Sequence, residues 1–264
     1  MNPASKLSRS ETLTSHRSAS LHGTLHVPGD KSISHRALIL GGLAIGTTKV
    51  YGLLKGDDVL ATCNAMRALG VEITELDNGV WQIVGVGLHG LTSPEKPLDL
   101  GNSGTGVRLL MGVVASQQIT ATFTGDESLS VRPMARIICP LKKMGAKISS
   151  RPGGLLPVTI TGTATPIAAD HVSKVASAQI KSAVLLAGLT ARGTTIVTEP
   201  NASRDHTESM MRHFGASVTQ EIMSEGSHRV ALAGEAELVA AAAHTVGVQQ
   251  RQDASEHGAR TGRA

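Results

Sequence analysis

The run Pro28-Gly29-Asp30-Lys31-Ser32-Ile33-Ser34-His35-Arg36 has the residue types of an anion site. The apolar stretch Ala37–Ala44 follows it, which puts the run at the start of a helix. Free backbone N–H groups and the helix dipole favour negative charge there. Lys31 and Ser32 fall in the first turn, and Arg36 lies one turn on from Ser32, on the same face. Asp30 or Ser32 would suffice as a cap. A lysine and an arginine at that end oppose the dipole unless an anion is bound, so the spacing points to anion binding. The Gly-x-x-x-x-Gly-Lys-Ser spacing of a P-loop is absent.

Two later runs open helices in a similar way. Gly101-Asn102-Ser103-Gly104-Thr105-Gly106 precedes Arg108, and its glycines let backbone approach a ligand closely. Ser177-Ala178-Gln179-Ile180-Lys181 opens the third helix. Arg132, before Pro133, and Arg204, in Ser203-Arg204-Asp205-His206, each precede a further helix and offer a guanidinium fork for phosphate or carboxylate. If the three helix starts converge, they make a site for a polyanionic small ligand without a metal.

Other signals are weaker. Gly85-Val86-Gly87-Leu88-His89-Gly90 has dinucleotide-binding spacing, but Pro94 and Pro97 follow and no helical pattern begins, so it reads as a turn-rich loop. His35, His171, His206 and His213 share no ligand spacing, and Cys63 and Cys139 lie far apart, so no metal site is expected. No Ser/His/Asp arrangement is visible. Two distant thiols suit a reducing, cytoplasmic setting. Met134, Met144 and Met211 read as core fillers.

The elements that position these runs repeat. Met66-Arg67-Ala68-Leu69-Gly70, Lys142-Lys143-Met144-Gly145 and Met211-Arg212-His213-Phe214-Gly215 each end a helix on a glycine placed for a left-handed backbone. Strand-like stretches follow each time, at Val71–Thr74 and Val80–Val84, Ala146–Ser149 and Leu156–Thr161, and Ala216–Thr219 and Arg229–Ala233. Ahead of them, helices at Ala37–Ala44, Arg108–Ala115 and Ala183–Leu189 lead to strands at Thr47–Tyr51, Thr120–Thr124 and Thr194–Thr198. Each unit reads helix, strand, helix, strand, strand, which predicts an α/β domain with approximate threefold symmetry.

Composition sets the outer limits. The 264 residues are 41% hydrophobic and 17% charged, enough for a packed core. No run approaches the length of a membrane-spanning helix, so no membrane association is expected. Aromatic residues are 2%, which argues against recognition of nucleic acid by stacking. The net charge of +4 lies mostly outside the body, with +2 in residues 1–20 and +1 in 239–264, so no nucleic-acid partner is expected. Residues 1–20 are Ser-rich without an apolar stretch and read as a disordered tail. Residues 21–238 read as the domain, with repeats at about 31–95, 100–162 and 175–234. From 239 to 264 the periodicity stops, and this stretch reads as an irregular tail.

The segments Gly29–Arg36, Leu100–Arg108, Ser177–Lys181 and Arg204–Glu208 together resemble the enolpyruvyl transferase family. The forms Gly-Asp-Lys-Ser, Ser-Ala-Gln-Ile-Lys and Arg-Asp-His-Thr-Glu are similar to the bacterial class II form of its shikimate-pathway branch. The resemblance implies two domains, each of three βαβαββ units, closing on ligands between them. It implies transfer of the enolpyruvyl group from phosphoenolpyruvate to shikimate 3-phosphate with release of phosphate, with no metal or organic cofactor. By position, Lys31, Ser32, Arg36, Ser177, Ala178, Gln179 and Arg204 match contacts to shikimate 3-phosphate. Lys31 also faces phosphoenolpyruvate and is the one residue here expected to position the reacting groups. Asn102, Gly104, Thr105 and Arg132 match the phosphoenolpyruvate side.

The same resemblance carries departures. In the family a methyl group at the place of Gly104 is associated with tolerance to glyphosate, which competes with phosphoenolpyruvate. Gly104 therefore implies sensitivity, while Leu109 stands where the plant-like form has proline. The family's acid/base carboxylates belong to a second domain that these residues do not match. The expectation is a truncated or frameshifted chain near Val239, inactive alone or one half of a split enzyme needing a C-terminal partner. The alternatives are a non-catalytic phosphometabolite-binding fragment and the cell-wall UDP-N-acetylglucosamine enolpyruvyl transferase.

Overall fold

The computed structural model describes residues 14–16, 27–240 and 244–245. The fold lies in the compact unit Pro28–Val248. Its first repeat is α1 (Lys31–Leu43), β1 (Ile45–Tyr51), α2 (Asp57–Ala68), β2 (Glu72–Glu75) and β3 (Trp81–Val86). The second is β4 (Leu98–Asp99), α3 (Gly104–Ala115), β5 (Thr120–Thr124), the short α4 (Glu127–Ser130), α5 (Ala135–Lys143), β6 (Lys147–Arg151) and β7 (Leu155–Thr161). The third is β8 (Asp170–Val172), α6 (Ala178–Gly188), β9 (Thr194–Glu199), α7 (His206–His213), β10 (Val218–Ile222) and β11 (His228–Ala233). A last short strand, β12 (His244–Thr245), follows.

The sheets share one plan. Their orders are β12-β1-β3-β2, β4-β5-β7-β6 and β8-β9-β11-β10. In each, a leading strand pairs in parallel with the strand after the central helix, and the other pairings are antiparallel. The register repeats as well: Ile45 faces Val86, Thr120 faces Thr161, and Thr194 faces Ala233. Gly70, Gly145 and Gly215 have φ of 98°, 107° and 100°, the left-handed backbone expected of them at helix ends.

The stretch expected to be irregular from 239 is in part ordered. Ile45 N–H donates to Leu238 O at 2.7 Å, Ala240 N–H donates to Ile45 O at 2.9 Å, and β12 runs parallel to β1. These residues supply the leading strand of the first sheet, as β4 and β8 do for the other two. Main-chain bonds hold such a strand without any side-chain pattern, which is why composition did not reveal it. The expected tail before residue 21, apart from residues 14–16, and the tail beyond Thr245 lie outside the described residues.

The three central helices are buried almost all round: 10 of 13 residues in α1, 10 of 12 in α3 and 9 of 11 in α6. Apolar periodicity suits the outer helices α2, α5 and α7, which keep one polar face; the central three sit between the sheets, where every face is covered. Met134, Met144 and Met211 are in this core. Glycines set how closely it closes. A Cβ on Gly85 would lie 2.1 Å from Ala44 O, on Gly162 2.1 Å from Val114 O, and on Gly234 1.8 Å from Ala191 O. The same close approach, of the last strand's end to the end of the central helix, recurs in all three repeats. It also explains the glycine-rich Gly85–Gly90 segment, which starts no helix.

At Gly112 the helices α3 and α6 approach closely, since a Cβ there would lie 2.3 Å from Ala183 O. That obstacle is backbone and cannot rotate away. Gly112→Ala is therefore expected to destabilise the fold by about 1–3 kcal/mol through overpacking. A urea titration reads this as a lower midpoint at unchanged slope; an unchanged midpoint would mean that the helix pair has slack.

Candidate functional site

The helix starts singled out in the sequence are brought together. Asp30 caps α1 by accepting from Ile33 N–H at 2.8 Å. Ser103 caps α3 by accepting from Gly106 N–H at 3.1 Å, and Ser177 caps α6 by accepting from Ile180 N–H at 3.5 Å. Side chains near these starts reach from one helix to the next. Gln179 Nε2 of α6 donates to Thr105 Oγ1 of α3 at 2.9 Å. Arg36 of α1 reaches both α6 and α7.

Arg36 is 3% exposed, and its guanidinium is largely engaged by protein. Nε donates to Thr207 Oγ1 at 2.5 Å, Nη2 to Ser182 Oγ at 2.9 Å, and Nη1 to Ser32 O and Oγ at 2.8 and 2.7 Å. Ser182 Oγ–H donates to Ala178 O, so the Thr207 hydroxyl donates to Ser182 Oγ at 2.6 Å. The Ser182 and Thr207 hydroxyl protons thus each have a direction. One Nη2 hydrogen of Arg36 remains, and the Ser32 hydroxyl proton has no acceptor among the described residues. Burial lowers the Arg36 pKa to about 10, opposed by the Glu208 carboxylate and assisted by Arg204; the group stays cationic near neutrality.

Behind it lies an ion cluster that the sequence did not disclose. Lys181 Nζ is 2.7 Å from Glu208 Oε1 and 3.1 Å from Glu199 Oε2, and all three side chains are fully buried. Glu199 Oε1 also accepts from Ser177 N–H at 2.6 Å, and its Oε2 accepts from Ser203 Oγ–H at 2.7 Å. Lys181 was visible as part of its motif, but nothing in its spacing named two glutamates on β9 and α7.

Lys31 is exposed and pairs with Asp58 Oδ2, in the first turn of α2, at 2.9 Å. Arg204 is exposed and makes no hydrogen bond or ion pair with another described residue. On the second repeat, Arg132 Nη2 donates to Asn102 Oδ1 at 2.5 Å and to Ser128 Oγ at 3.0 Å, while Asn102 Nδ2 donates to Asp126 Oδ2 at 2.7 Å. Arg108 Nη1 donates to Gly104 O at 2.9 Å. Burial, then the nearby Arg132 and Arg136, push the Arg108 pKa down. Arg132 and Arg136 thus both lie within electrostatic reach of Arg108, and a Cβ on Gly104 would meet Nη1 of Arg108 at 2.9 Å and of Arg132 at 3.1 Å, so an anion there would relieve the repulsion.

His35, read from the sequence as a lone histidine, is a buried strut. Thr62 Oγ1 donates to Asp58 O at 3.3 Å, so His35 Nδ1–H donates to Thr62 Oγ1 at 2.8 Å and Nε2 carries the lone pair. Nε2 is buried without a partner. Among the described residues, no three His, Cys, Asp or Glu side chains are gathered as a metal would need, and no helix is long and apolar enough to cross a membrane. The cluster of cations, hydroxyls and open helix starts can hold the phosphate and carboxylate groups of small anions.

Comparison with known proteins agrees with this chemistry. The family described as EPSP synthase (3-phosphoshikimate 1-carboxyvinyltransferase) matches residues 16–249. A 3-phosphoshikimate 1-carboxyvinyltransferase of Rhodopseudomonas palustris (strain TIE-1) is 55% identical over 229 residues, covering 86% of this chain and 51% of the relative. One of Novosphingobium aromaticivorans is 54% identical over 218 residues, covering 83% and 49%. The solved EPSP synthase of Acinetobacter baumannii superposes with a TM-score of 0.78 at 47% identity, over 84% of this chain and 48% of that one. The chain thus spans about half the length of the curated relatives it matches.

The buried histidine sets a pH dependence. Desolvation is the largest cause holding the His35 pKa at about 4, against 6.5 ordinarily; Arg36 and Lys31 assist and Asp58 opposes. Above pH 6.5 both folded and unfolded states hold the neutral ring, and no stability is at stake. Below it the unfolded chain takes the proton first, so stability falls by up to about 3 kcal/mol as pH drops from 6.5 to 4. Urea titrations across that window should show the slope in wild type and a shallower one in His35→Gln; equal slopes would mean that the ring protonates freely in the folded state.

Proposed function

The chain belongs to the EPSP synthase family, and from that premise we propose that it binds shikimate 3-phosphate and contributes to enolpyruvyl transfer from phosphoenolpyruvate, with release of phosphate. The observation that carries this reading is the joining of three helix starts through Arg36 and Gln179, beside the unpaired Arg204 and the surface Lys31. Shikimate 3-phosphate is held by Lys31, Ser32, Ser177, Ala178, Gln179 and Arg204. Arg36 contributes chiefly by orienting Ser32 and offers its one remaining N–H. Asn102, Gly104, Thr105 and Arg132 take the phosphoenolpyruvate side, with Arg108 close by.

These groups suit the reaction. Two dilute polyanions must be brought together, and fixed cations and helix starts hold them without reorganising as charge develops. Lys31 exchanges its salt bridge with Asp58 for an anion at little cost, because the pair is exposed. Turnover needs the family's acid/base carboxylates, which we assign to the half of the relatives' length that these residues do not match, whether on a continuation of this chain or on a partner. The setting is the cytoplasm.

Calorimetric titration with shikimate 3-phosphate, with phosphate release assayed in the same preparation, tests the reading. Binding without turnover supports a half-site, binding with turnover would remove the need for a second half, and absence of binding by a folded chain would overturn the proposal. Arg204→Ala should weaken binding about tenfold to a hundredfold, the loss of a charge-assisted contact. Gly104→Ala would put a Cβ 2.9 Å from Arg108 Nη1 and 3.1 Å from Arg132 Nη1, ends of side chains that can shift. In an active complex it should reduce inhibition by glyphosate, and inhibition equal to wild type would refute that role for Gly104.

A further inference from the structure

Glu199 lies outside the set of ligand-facing residues, yet its two oxygens touch both segments that carry the expected phosphate grip. Oε1 accepts from the Ser177 amide at 2.6 Å, at the start of α6. Oε2 accepts from the Ser203 hydroxyl at 2.7 Å, immediately before Arg204. The side chain is fully buried at the end of β9, and Lys181 Nζ stands 3.1 Å from Oε2. Neither recipient segment is regular at that point: Ser177 has extended backbone, with φ −150° and ψ 105°, and residues 201–205 form the link between β9 and α7. No strand pairing reaches residues 201–205, and the hydroxyl-to-carboxylate bond ties them to β9.

We propose that Glu199 is a positioning residue that sets Ser177 and Arg204 at a fixed separation for one phosphate group, with Lys181 supplying the charge that lets the carboxylate be buried. This rests on the shikimate 3-phosphate reading of the site. The geometry of the bonds fits no simpler substitute. A carboxylate accepts at both oxygens, as Ser177 N–H and Ser203 Oγ–H require, and its charge pairs with Lys181 Nζ. A glutamine in its place keeps one acceptor and turns an N–H₂ toward other donors. An aspartate is one methylene too short to reach both segments from the same strand position.

Amide hydrogen exchange on the ligand-free chain tests the anchor directly. Glu199→Gln should speed exchange at Ser177, whose N–H Glu199 holds, and Ser203→Ala should speed it at Ser209, whose N–H donates to Asp205 O at 2.9 Å, with α3 unchanged in both; unaltered exchange at these sites overturns the proposal. Calorimetry then reads function. Ser203→Ala should weaken shikimate 3-phosphate binding about threefold to tenfold, the worth of one hydrogen bond. Ser203→Thr, which keeps the hydroxyl, should restore it. Because Ser203 acts through Arg204, Ser203→Ala should cost nothing further in an Arg204→Ala background, and an equal loss in both backgrounds overturns the proposal. The serine variant carries the test if Glu199→Gln fails to fold. Wild type that folds but does not bind would sink the functional reading alone, since the exchange result stands without ligand.

Discussion

Four buried charges lie where the first and third repeats meet. Lys181 of α6 pairs with Glu199 of β9 and Glu208 of α7, and Arg36 of α1 bonds the Ser182 and Thr207 hydroxyls beside them. The formal charges cancel, which is the condition for keeping such a group out of water. Removing one member would leave an uncompensated charge, so the cluster constrains how these elements can sit. The first turns of α1 and α6 have little freedom left once it has formed.

The opposite constraint acts at the other end of the central helices. There the glycines Gly85, Gly162 and Gly234 let the last strand of each repeat close on the helix end, and nothing larger would fit. The domain is thus drawn tight at the helix C-termini by shape and joined at the N-termini by polar bonds. Only the second kind of contact can be exchanged for a ligand. That division leaves the exchangeable polar groups at the N-terminal end, where Lys31, Arg204 and the arginines beside Gly104 stand with few or exposed partners.

Repetition also separates structure from function among residues of similar appearance. A feature present in all three repeats, such as the helix-end glycines or the parallel leading strand, serves the fold. A feature that breaks the symmetry marks where the repeats differ in chemistry: Lys31 opens α1 where Gly104 and Ala178 open α3 and α6, and the pair of arginines beside Gly104 belongs to the second repeat alone. Val239, Ala240 and β12 lie in the stretch from 239 that the sequence presents as an irregular tail, yet they belong to the repeated plan. Their partner, β1, lies almost two hundred residues earlier, and their bonds are main-chain bonds.

Helix starts, the glycines that end helices, and three repeats of strand and helix were legible in the sequence, because each depends on residues within a few positions of one another. Family likeness was legible for the same reason, since its motifs are short runs. Pairings between distant positions were not. That Arg36 would be nearly buried against Thr207, that His35 would brace Thr62, and that Lys181 would meet two glutamates depend on which helices become neighbours. Glu199 carries no local signal at all at the end of an ordinary strand, and it acquires a role only from the donors that packing brings to its two oxygens. Sequence alone determined which residue types stand at each helix start, because local backbone preference decides that. Tertiary structure alone decided which of them remain open to a ligand, because burial and pairing depend on contacts between residues far apart in the chain.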